Sequence, residues 1–240
     1  MIHHLKKKLK KYLYLFLGKY KYLKIRDKRK HKWYGKEYSG FFVDTELIKP
    51  EAIVYSFGVG EDISFDRELI ADYQAEIFAF DPTPKSIEWL SKQVLPTSFH
   101  FFSIGIATYT GEASFYLPKN KNFVSGSSLI QENVDVADSI TVKMKKLSEI
   151  MTELGHRHID VLKMDIEGSE YEVLEQILDE ELSIGQILVE FHERFIENGA
   201  KRTEKIVGKM KDKGFLVFAC SDSFEEVSFV NKKIAEKMKK

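Results

Sequence analysis

The sequence predicts an α/β fold organised around a mostly parallel sheet. Strand-like apolar runs alternate with segments of helical periodicity through five strands, and two further strands close the chain with little between them. Residues 159–166 have the apolar run of a strand that is covered on both faces, as in a parallel sheet. With 240 residues, the chain is long enough for one large domain of this kind and a short extension.

The individual elements follow from hydrophobic periodicity and from turn residues. Strands are predicted at residues 52–57, 75–80, 99–107, 140–144, 159–166, 186–191, 215–220 and 226–230. Helices are predicted at residues 64–73, 85–93, 147–154, 169–182 and 195–213. An extended segment at 112–117 predicts a hairpin added to this plan. The polar residues 119–133 predict a loop that either covers a site or is a plain surface loop.

The first 36 residues differ from the rest of the chain in charge. They hold 14 of the 37 Lys and Arg residues but only one of the 37 Asp and Glu residues, so a segment of about +13 precedes a remainder of about −13. Apolar residues at spacings of three and four predict an amphipathic helix over residues 2–24 with a lysine-rich face. Residues 24–36 are too charged to pack and predict a linker. We therefore divide the chain into a basic extension, 1–36, and a folded domain, 37–240.

The basic helix allows two interpretations. Its composition is typical of a helix on an anionic membrane surface, and it equally fits a helix docked on its own domain or on a second subunit. The acidic remainder argues against nucleic acid as a partner. No run approaches the ~20 apolar residues of a membrane span, and the single cysteine, Cys220, suits a reducing compartment. We expect a cytoplasmic protein, peripheral on the inner face of the membrane if the helix binds there.

The first half of the predicted sheet carries the features of a nucleotide site. The strand at 52–57 ends in Gly58-Val59-Gly60 and is followed by a helix, an arrangement that brings backbone amides up to a nucleotide. The next strand ends in Asp81, 21 residues after Gly60, close to the ~20-residue interval at which an acid meets a ribose. A plain tight turn and a helix-capping role for Asp81 are the structural alternatives.

The second half places acids at the ends of two other strands. Asp165 and Glu167 follow one strand, and Glu190 and His192 end the next. Ligands bind at the carboxyl edge of an open α/β sheet, so these side chains are candidates for the chemistry. Capping of the following helix is the alternative for Asp165 and Glu167.

Four segments of the chain carry a family resemblance. The most specific reads Leu162-Lys-Met-Asp-Ile-Glu-Gly-Ser-Glu170, and the others are Phe80-Asp-Pro82, Gly126-Ser-Ser-Leu129 and Val189-Glu-Phe-His192. Together they resemble the FkbM-like methyltransferases of class I, which depend on S-adenosylmethionine, and the resemblance covers roughly residues 50–220. It implies a three-layer, Rossmann-like domain whose seven-stranded, mostly parallel sheet has an antiparallel last strand.

The resemblance also implies S-adenosylmethionine as the cofactor and a set of residues that hold it. At the matching positions these are Ser56, Gly58, Gly60, Asp62, Asp81, Pro82, Gly105 and Asp165. Members of this class usually carry an acid at the end of the first strand and a third glycine in the turn, where this chain has Ser56 and Asp62. A serine binds the amino acid end of the cofactor more weakly than a carboxylate does, and Asp62 offers a carboxylate in a different geometry.

The implied reaction is methyl transfer to a hydroxyl oxygen of a carbohydrate, a lipid-linked glycan or another small acceptor. A base must take the hydroxyl proton, and we assign Asp165, Glu190 and His192 to that side of the site. The unperturbed pKa of histidine suits a base at neutral pH. A divalent metal on the same three side chains is an alternative that the resemblance does not require.

Two other classes of protein fit parts of the sequence. A nicotinamide-dependent oxidoreductase would use the same first half of the sheet, but the closing strand pair and the acids at residues 165–167 favour methyl transfer. A non-catalytic, membrane-associated binding protein that has kept the fold is the third, because fold alone does not fix function. The sequence leaves the oligomeric state open.

Overall fold

The computed structural model describes Tyr14, residues 18–118 and residues 134–238. Within these residues the strands are β1 (His31–Tyr34), β2 (Phe41–Asp44), β3 (Ile53–Phe57), β4 (Glu76–Phe80), β5 (Phe99–Phe102), β6 (Gly105–Ile106), β7 (Gly111–Pro118), β8 (Val134–Lys145), β9 (Ile159–Met164), β10 (Ile184–Glu190), β11 (Phe215–Cys220) and β12 (Glu226–Asn231). The helices are α1 (Ser64–Tyr73), α2 (Pro84–Ser91), α3 (Leu147–Leu154), α4 (Glu170–Asp179), α5 (Gly199–Asp212) and α6 (Lys232–Met238). In this described part of the chain, no helix has both the length and the apolar character needed to cross a bilayer.

The centre of the molecule is a seven-stranded sheet with the order β11-β12-β10-β9-β3-β4-β5. The strands from β10 to β5 in this order pair in parallel, and β12 runs antiparallel to both of its neighbours. Consecutive residues of the central strands are completely buried, including Val54, Tyr55, Val161 and Leu162. A strand buried on both faces is expected in a parallel sheet covered by helices. The structure confirms the predicted mostly parallel sheet with an antiparallel last strand.

Helices cover both faces of this sheet and give the predicted three layers. On one face, α1, α2 and α6 contribute Leu69, Leu90 and Ala235 to the core. On the other face, α3, α4 and α5 contribute Ile150, Leu174 and Met210. The central strands supply the matching apolar surface in both cores, so the carboxyl edge of the sheet is left as the place where polar side chains gather.

A smaller sheet with the order β6-β8-β7 is added to this plan. The predicted strand at 99–107 is two strands, because β5 joins the central sheet and β6 pairs in parallel with β8. The predicted extra hairpin is the antiparallel pair of β7 and β8. β8 begins at Val134 and is therefore longer than the strand predicted at 140–144. The loop predicted at 119–133 lies outside the described residues.

The basic extension differs from its prediction. Residues 24–36 contain β1, which pairs with β2, and Arg29 forms an ion pair with Asp44 in which the side chains are only 5% and 0% exposed. The predicted linker is therefore wrong at this point, because a charged residue can be buried when an opposite charge meets it. Of the helix predicted over 2–24, the structure describes Tyr14 and residues 18–24, and the latter form a turn and a short 3-10 helix, Lys21–Leu23.

Two helices are shorter than the periodicity predicts by at least four residues. α4 ends at Asp179 instead of residue 182, and Glu181 just beyond it has a left-handed φ of 51°. α5 starts at Gly199 instead of residue 195, because Asn198 adopts a left-handed conformation with φ 55°. The preceding residues form a 3-10 helix, Glu193–Phe195. Both breaks lie at backbone conformations that a helical pattern of apolar residues does not reveal.

Candidate active site

A cavity of about 320 Å³ lies at the carboxyl edge of β3, β4 and β9. Its volume falls within the range of about 300–1,000 Å³ that is typical of small-molecule sites. The predicted cofactor residues that line it are Gly58, Gly60, Asp62, Asp81, Pro82, Gly105 and Asp165. Apolar walls come from Phe57, Phe80, Ile106, Phe115 and Met144. The cavity therefore occupies the place at which ligands bind in open α/β sheets.

The glycine turn, Gly58-Val59-Gly60, forms one side of this cavity. Gly58 and Gly60 have φ values of +81° and +57°, in the left-handed region that favours glycine. A Cβ atom on Gly58 would lie 1.8 Å from the backbone oxygen of Asp165, so only glycine fits between the ends of β3 and β9. A Cβ atom on Gly60 would meet nothing within 4 Å. The turn therefore leaves room for a ligand to approach the main chain, as a bound cofactor requires.

The Asp81 carboxylate holds the glycine turn in place through hydrogen bonds to its backbone. Its Oδ2 accepts hydrogen bonds of 2.9 Å from the backbone N–H groups of Val59 and Gly60. Thr83 donates to Oδ1 from its backbone and its hydroxyl, and Ser86 donates to Oδ2. A carboxylate has about four acceptor positions, so these donors already satisfy it. Asp81 lies at the cavity as predicted, but the structure shows it as a support of the turn, and its contact with a ribose stays a prediction.

Asp62 lines the cavity and also joins two neighbouring elements. Its Oδ1 accepts a hydrogen bond of 3.1 Å from the backbone N–H of Ser64 in the first turn of α1. Its Oδ2 accepts from the hydroxyls of Ser39 and Ser64, and the Lys36 ammonium lies 3.0 Å from Oδ1. Burial alone would raise the pKa of Asp62, but these donors lower it below its usual value. The carboxylate therefore ties the β1–β2 connection to α1 at the edge of the cavity.

The predicted contact of Ser56 with the cofactor has no counterpart in the lining of the cavity. Ser56 is 0% exposed and does not line the cavity, so the geometry gives this contact no support and it stays a prediction. Lys163 and Asp66, which the sequence analysis did not select, line the cavity in its place. Nζ of Lys163 donates a 2.8 Å hydrogen bond to the backbone oxygen of Gly58. The available signal was a lysine inside an apolar strand, because a buried charge is costly unless it is paired.

The predicted catalytic residues come together around the imidazole of His192, which is 1% exposed. Its Nε2 lies 3.6 Å from an oxygen of Asp165 and 3.5 Å from oxygens of Glu190 and Glu167. We call these four residues the His192 cluster. Asp165 and Glu167 also line the cavity, whereas Glu190 and His192 lie behind them. Asp165 therefore belongs both to the cavity and to the cluster.

Glu170 orients His192, and the sequence analysis did not identify it. Its Oε1 accepts a 2.6 Å hydrogen bond from Nδ1 of His192 and a 3.1 Å hydrogen bond from the backbone N–H of Gly168. Both side chains of the pair are buried. Glu170 is the first residue of α4, where an acid is common because it complements the helix dipole. Because this local role explains an acid at residue 170, the sequence did not indicate its contact with His192, 22 positions away.

The surrounding charges change the expected role of His192. Burial alone would lower the pKa of His192, but the carboxylates of Glu170, Asp165 and Glu167 raise it to about 10. Burial and the charge of Asp165 also raise the pKa of Glu190. The imidazole is therefore protonated at neutral pH in this arrangement and has no lone pair for an incoming proton. The raised pKa therefore argues against the predicted role of His192 as a base with an unperturbed pKa.

A second cavity, of about 510 Å³, borders the residues that follow β10. Aromatic and charged residues line it, including Tyr14, Tyr20, Phe191, Arg194 and Phe224. The ring of Tyr20 stacks on Phe224 with the ring centres 4.5 Å apart, and Tyr22 donates a 2.9 Å hydrogen bond to Glu193. Residues 20–22 of the extension therefore dock on their own domain.

The sheet order, the glycine turn at its carboxyl edge and the acid after β9 define a Rossmann-like domain of the kind that binds a nucleotide cofactor. Comparison with known families makes the assignment specific. The sequence profile of the Methyltransferase FkbM domain matches residues 53–217. The chain belongs to the FkbM methyltransferase family, as the segment from Leu162 to Glu170 predicted.

Individual relatives agree with this family. The human "Probable methyltransferase-like protein 24" is 30% identical over 149 residues, which are 61% of this chain and 34% of that protein. The "2-O-methyltransferase NoeI" of Sinorhizobium fredii is 23% identical over 142 residues, 53% of this chain and 58% of its own length. "Methyltransferase sdnD" of Sordaria araneosa is 25% identical over 173 residues, 59% of this chain and 65% of its own length. The chain thus spans less than two thirds of each of these relatives.

Proposed function

We propose that this chain transfers a methyl group from S-adenosylmethionine to a hydroxyl oxygen of a small acceptor. The observation that carries the proposal is the double position of Asp165, which lines the cavity and lies 3.6 Å from Nε2 of His192. It joins a cofactor-sized cavity to a set of acid–base side chains. Membership of the FkbM methyltransferase family supports methyl transfer. A relative named as a 2-O-methyltransferase supports oxygen as the accepting atom.

The residues around the cavity suit the parts of this cofactor. The glycine turn gives access to the main chain, and the aromatic side chains of Phe57 and Phe80 offer an apolar surface to a purine. Lys163 offers a positive charge, at the cavity, to the carboxylate of the amino acid end. The carboxylates of Asp165 and Glu167 favour a ligand that carries positive charge, as a sulfonium does.

The bound cofactor supplies a methyl group on a positively charged sulfur, which is a good leaving group. The protein has to hold the acceptor oxygen in line with that methyl group. Asp165 lines the cavity and is placed to take the proton that the hydroxyl loses, a step that contributes typically 10²–10⁴-fold. Glu190 and His192 lie behind Asp165 and fix its position and charge, and Glu170 holds the imidazole in one orientation.

The second cavity supports a carbohydrate acceptor. Sugars present C–H groups on one face and hydroxyls around the ring, so they suit an aromatic wall bordered by charged side chains. Tyr20, Phe191, Glu193 and Arg194 provide both kinds of surface. Phe191 and Glu193 flank His192 in the sequence, and His192 lies 3.6 Å from Asp165, the proposed proton acceptor.

Calorimetric titration of the full chain tests the cofactor first. S-adenosylmethionine and its demethylated product should bind, and NAD should not. Transfer of labelled methyl from the cofactor to a panel of oligosaccharides and lipid-linked glycans then tests the reaction. Binding of NAD alone would replace the proposal with an oxidoreductase, and binding of the cofactor with no transfer to any hydroxylated acceptor would favour a binding protein.

A further inference from the structure

The environment of His192 differs from that of an ordinary buried histidine. Nε2 lies 3.5–3.6 Å from carboxylate oxygens of Asp165, Glu167 and Glu190, which is longer than the 2.7–3.2 Å of a normal N–H···O hydrogen bond. The side chain is nevertheless 1% exposed. The Nε2 edge of a buried imidazole therefore faces three acidic groups, each at a distance beyond that of a normal hydrogen bond.

The other ring nitrogen is fully engaged. Nδ1 lies 2.6 Å from Oε1 of Glu170, and the imidazole stacks on Phe195 with the ring planes 9° apart. A carboxylate accepts the Nδ1 hydrogen, so the ring orientation is fixed and Nε2 is aimed at the acidic groups. A histidine whose second nitrogen donates to a carboxylate is the arrangement found behind most metal-binding histidines.

We propose that Asp165, Glu190 and His192 coordinate a divalent metal ion, which replaces the proton on Nε2 of His192 and releases it to solvent. One ligand atom of each residue lies within 4.8 Å of the others. Metal–ligand bonds of about 2.1 Å place neighbouring ligand atoms about 3.4 Å apart in a tetrahedral site. The measured distances of 3.5 and 3.6 Å from Nε2 to Glu190 and Asp165 agree with this spacing.

The charges of the cluster also call for a cation. Among the residues that the structure describes, no Lys or Arg forms an ion pair with Asp165, Glu170 or Glu190. Carboxylates held this close repel one another, and a divalent ion offsets more of this repulsion than the single charge of a protonated His192 does. Glu167, with an oxygen 3.5 Å from Nε2, can supply a further ligand to the same ion.

The ligand set indicates the class of metal. Imidazole suits zinc, iron, nickel and copper, whereas carboxylates suit magnesium, calcium and manganese. One imidazole with two or three carboxylates therefore fits Mn²⁺ or Zn²⁺ better than Ca²⁺. A cation here lies beside the cavity through Asp165, where it can bind the acceptor hydroxyl and make its proton easier to remove. This use rests on the proposed methyl transfer, whereas the binding of the ion does not.

Titration of the metal-free full chain with Mn²⁺, followed by electron paramagnetic resonance of the free ion, tests the site. We expect about one equivalent of Mn²⁺ to bind per chain and Zn²⁺ to compete with it. Glu190→Gln removes a ligand charge with little change of shape, and Glu170→Gln replaces the carboxylate that orients His192 with a neutral amide. Each should weaken binding by about 10- to 100-fold. Glu172→Gln, on the exposed face of the same helix, is the matched control and should bind as the wild type does.

Two results would overturn the metal site. One is a wild-type chain that leaves millimolar Mn²⁺ free and does not bind Zn²⁺, and the other is a folded Glu190→Gln variant with unchanged affinity. Circular dichroism of each variant identifies any that fail to fold, and the wild-type titration decides the question without them. Titration with S-adenosylmethionine in the absence of metal tests the proposed function separately, so Mn²⁺ binding without cofactor binding would support the site and reject the methyl transfer.

Discussion

At the scale of single residues, the site depends on buried charges whose partners are distant in the sequence. Lys163 and Asp66 lie beneath the glycine turn, and Glu170 and His192 lie behind Asp165. A buried charge that loses its partner costs several kcal/mol, whereas a matched pair is close to neutral. Substitution of one member is therefore expected to change both stability and the charge presented to the cavity.

Asp66 predicts a pH dependence of stability. Burial raises the pKa of Asp66 in the folded protein, Asp62 adds to the increase, and Lys163 opposes it. Between the unfolded pKa of about 3.9 and the higher folded value, the folded state binds more protons, so the free energy of unfolding falls as pH rises. Asp66→Asn should remove this part of the slope in urea unfolding above about pH 4. The exposed Asp179→Asn control should keep it, and an unchanged slope in Asp66→Asn would exclude Asp66 as its source.

His192→Asn predicts a separation of turnover from cofactor affinity. His192 does not line the cavity, so the Kd for S-adenosylmethionine should change little, while kcat should fall because Asp165 loses the neighbour that fixes its position and charge. Asp165→Asn should lower kcat and also weaken the binding of the cofactor, because Asp165 belongs both to the cavity and to the His192 cluster. Turnover and calorimetry on the two variants, with the half-exposed His158→Asn as control, give the comparison. Normal turnover in both variants would place the proton acceptor elsewhere.

At the scale of elements, the site exists because β3 and β9 are neighbours in the sheet. Ser56 pairs with Lys163 in the register of these strands, and two residues later the main chain of Gly58 touches Asp165. Strand pairing therefore delivers the glycine turn and the acidic turn to one point from segments about 100 residues apart in the chain. The position of the cavity is a property of this pairing more than of either turn alone.

The glycine turn predicts different results for two glycines with similar backbones. Gly60 and Gly155 have φ values of +57° and +75°, and a Cβ atom at either would meet nothing within 4 Å. Alanine at each position should cost roughly 1–2 kcal/mol of stability through backbone strain. Only Gly60→Ala should weaken the binding of S-adenosylmethionine. Gly60 lines the cavity, whereas Gly155 follows the last residue of α3 and does not line it. Thermal unfolding and calorimetry separate the effects, and equal cofactor affinity in both variants would remove Gly60 from the site.

At the scale of the whole molecule, the basic extension is joined to the domain by more than one contact. Arg26 donates a backbone hydrogen bond to Val217 of β11, Leu23 is 4% exposed, and Arg29 pairs with the buried Asp44. Removing this segment would leave Asp44 without its partner in a closed environment. Residues 23–29 of the extension are therefore part of the folded structure.

Two truncations separate the role of this segment from that of residues 1–13. Removal of residues 1–36 should cost at least about 3–5 kcal/mol, the usual cost of an unpaired buried charge, and should lower Tm strongly. Removal of residues 1–13 takes away five lysines but keeps residues 20–36, so the domain should stay folded. We propose that the full chain binds anionic vesicles and that this shorter truncation abolishes the binding. Vesicle sedimentation with increasing salt tests it, because such attraction is screened beyond about 10 Å at 0.1 M ionic strength. Vesicle binding that persists after removal of residues 1–13 would contradict the proposal.

The sequence predicted most of the sheet because buried parallel strands have an unmistakable apolar pattern. It missed β1, since His31 and Lys32 are charged or polar and the pairing of Arg29 with Asp44 is a long-range event. It placed Asp165, Glu190 and His192 together because strand ends meet at one edge. It missed Glu170 and Lys163, because a helix-start acid and a single lysine have ordinary local explanations. The contacts that give them a role are set by folding and are not visible in local patterns.

The shared position of Asp165 has a consequence for how ligands bind. If the Asp165 side chain contacts both the cofactor and a metal ion, binding of either ligand alters the binding free energy of the other. Thermodynamic linkage requires the two effects to be equal, so the factor by which Mn²⁺ changes the Kd of S-adenosylmethionine must equal the factor by which S-adenosylmethionine changes the Kd of Mn²⁺. A positively charged sulfur near a divalent ion makes this factor unfavourable, whereas loss of the sulfonium charge after transfer relieves it. Such a molecule would hold its metal more tightly after the reaction than before it.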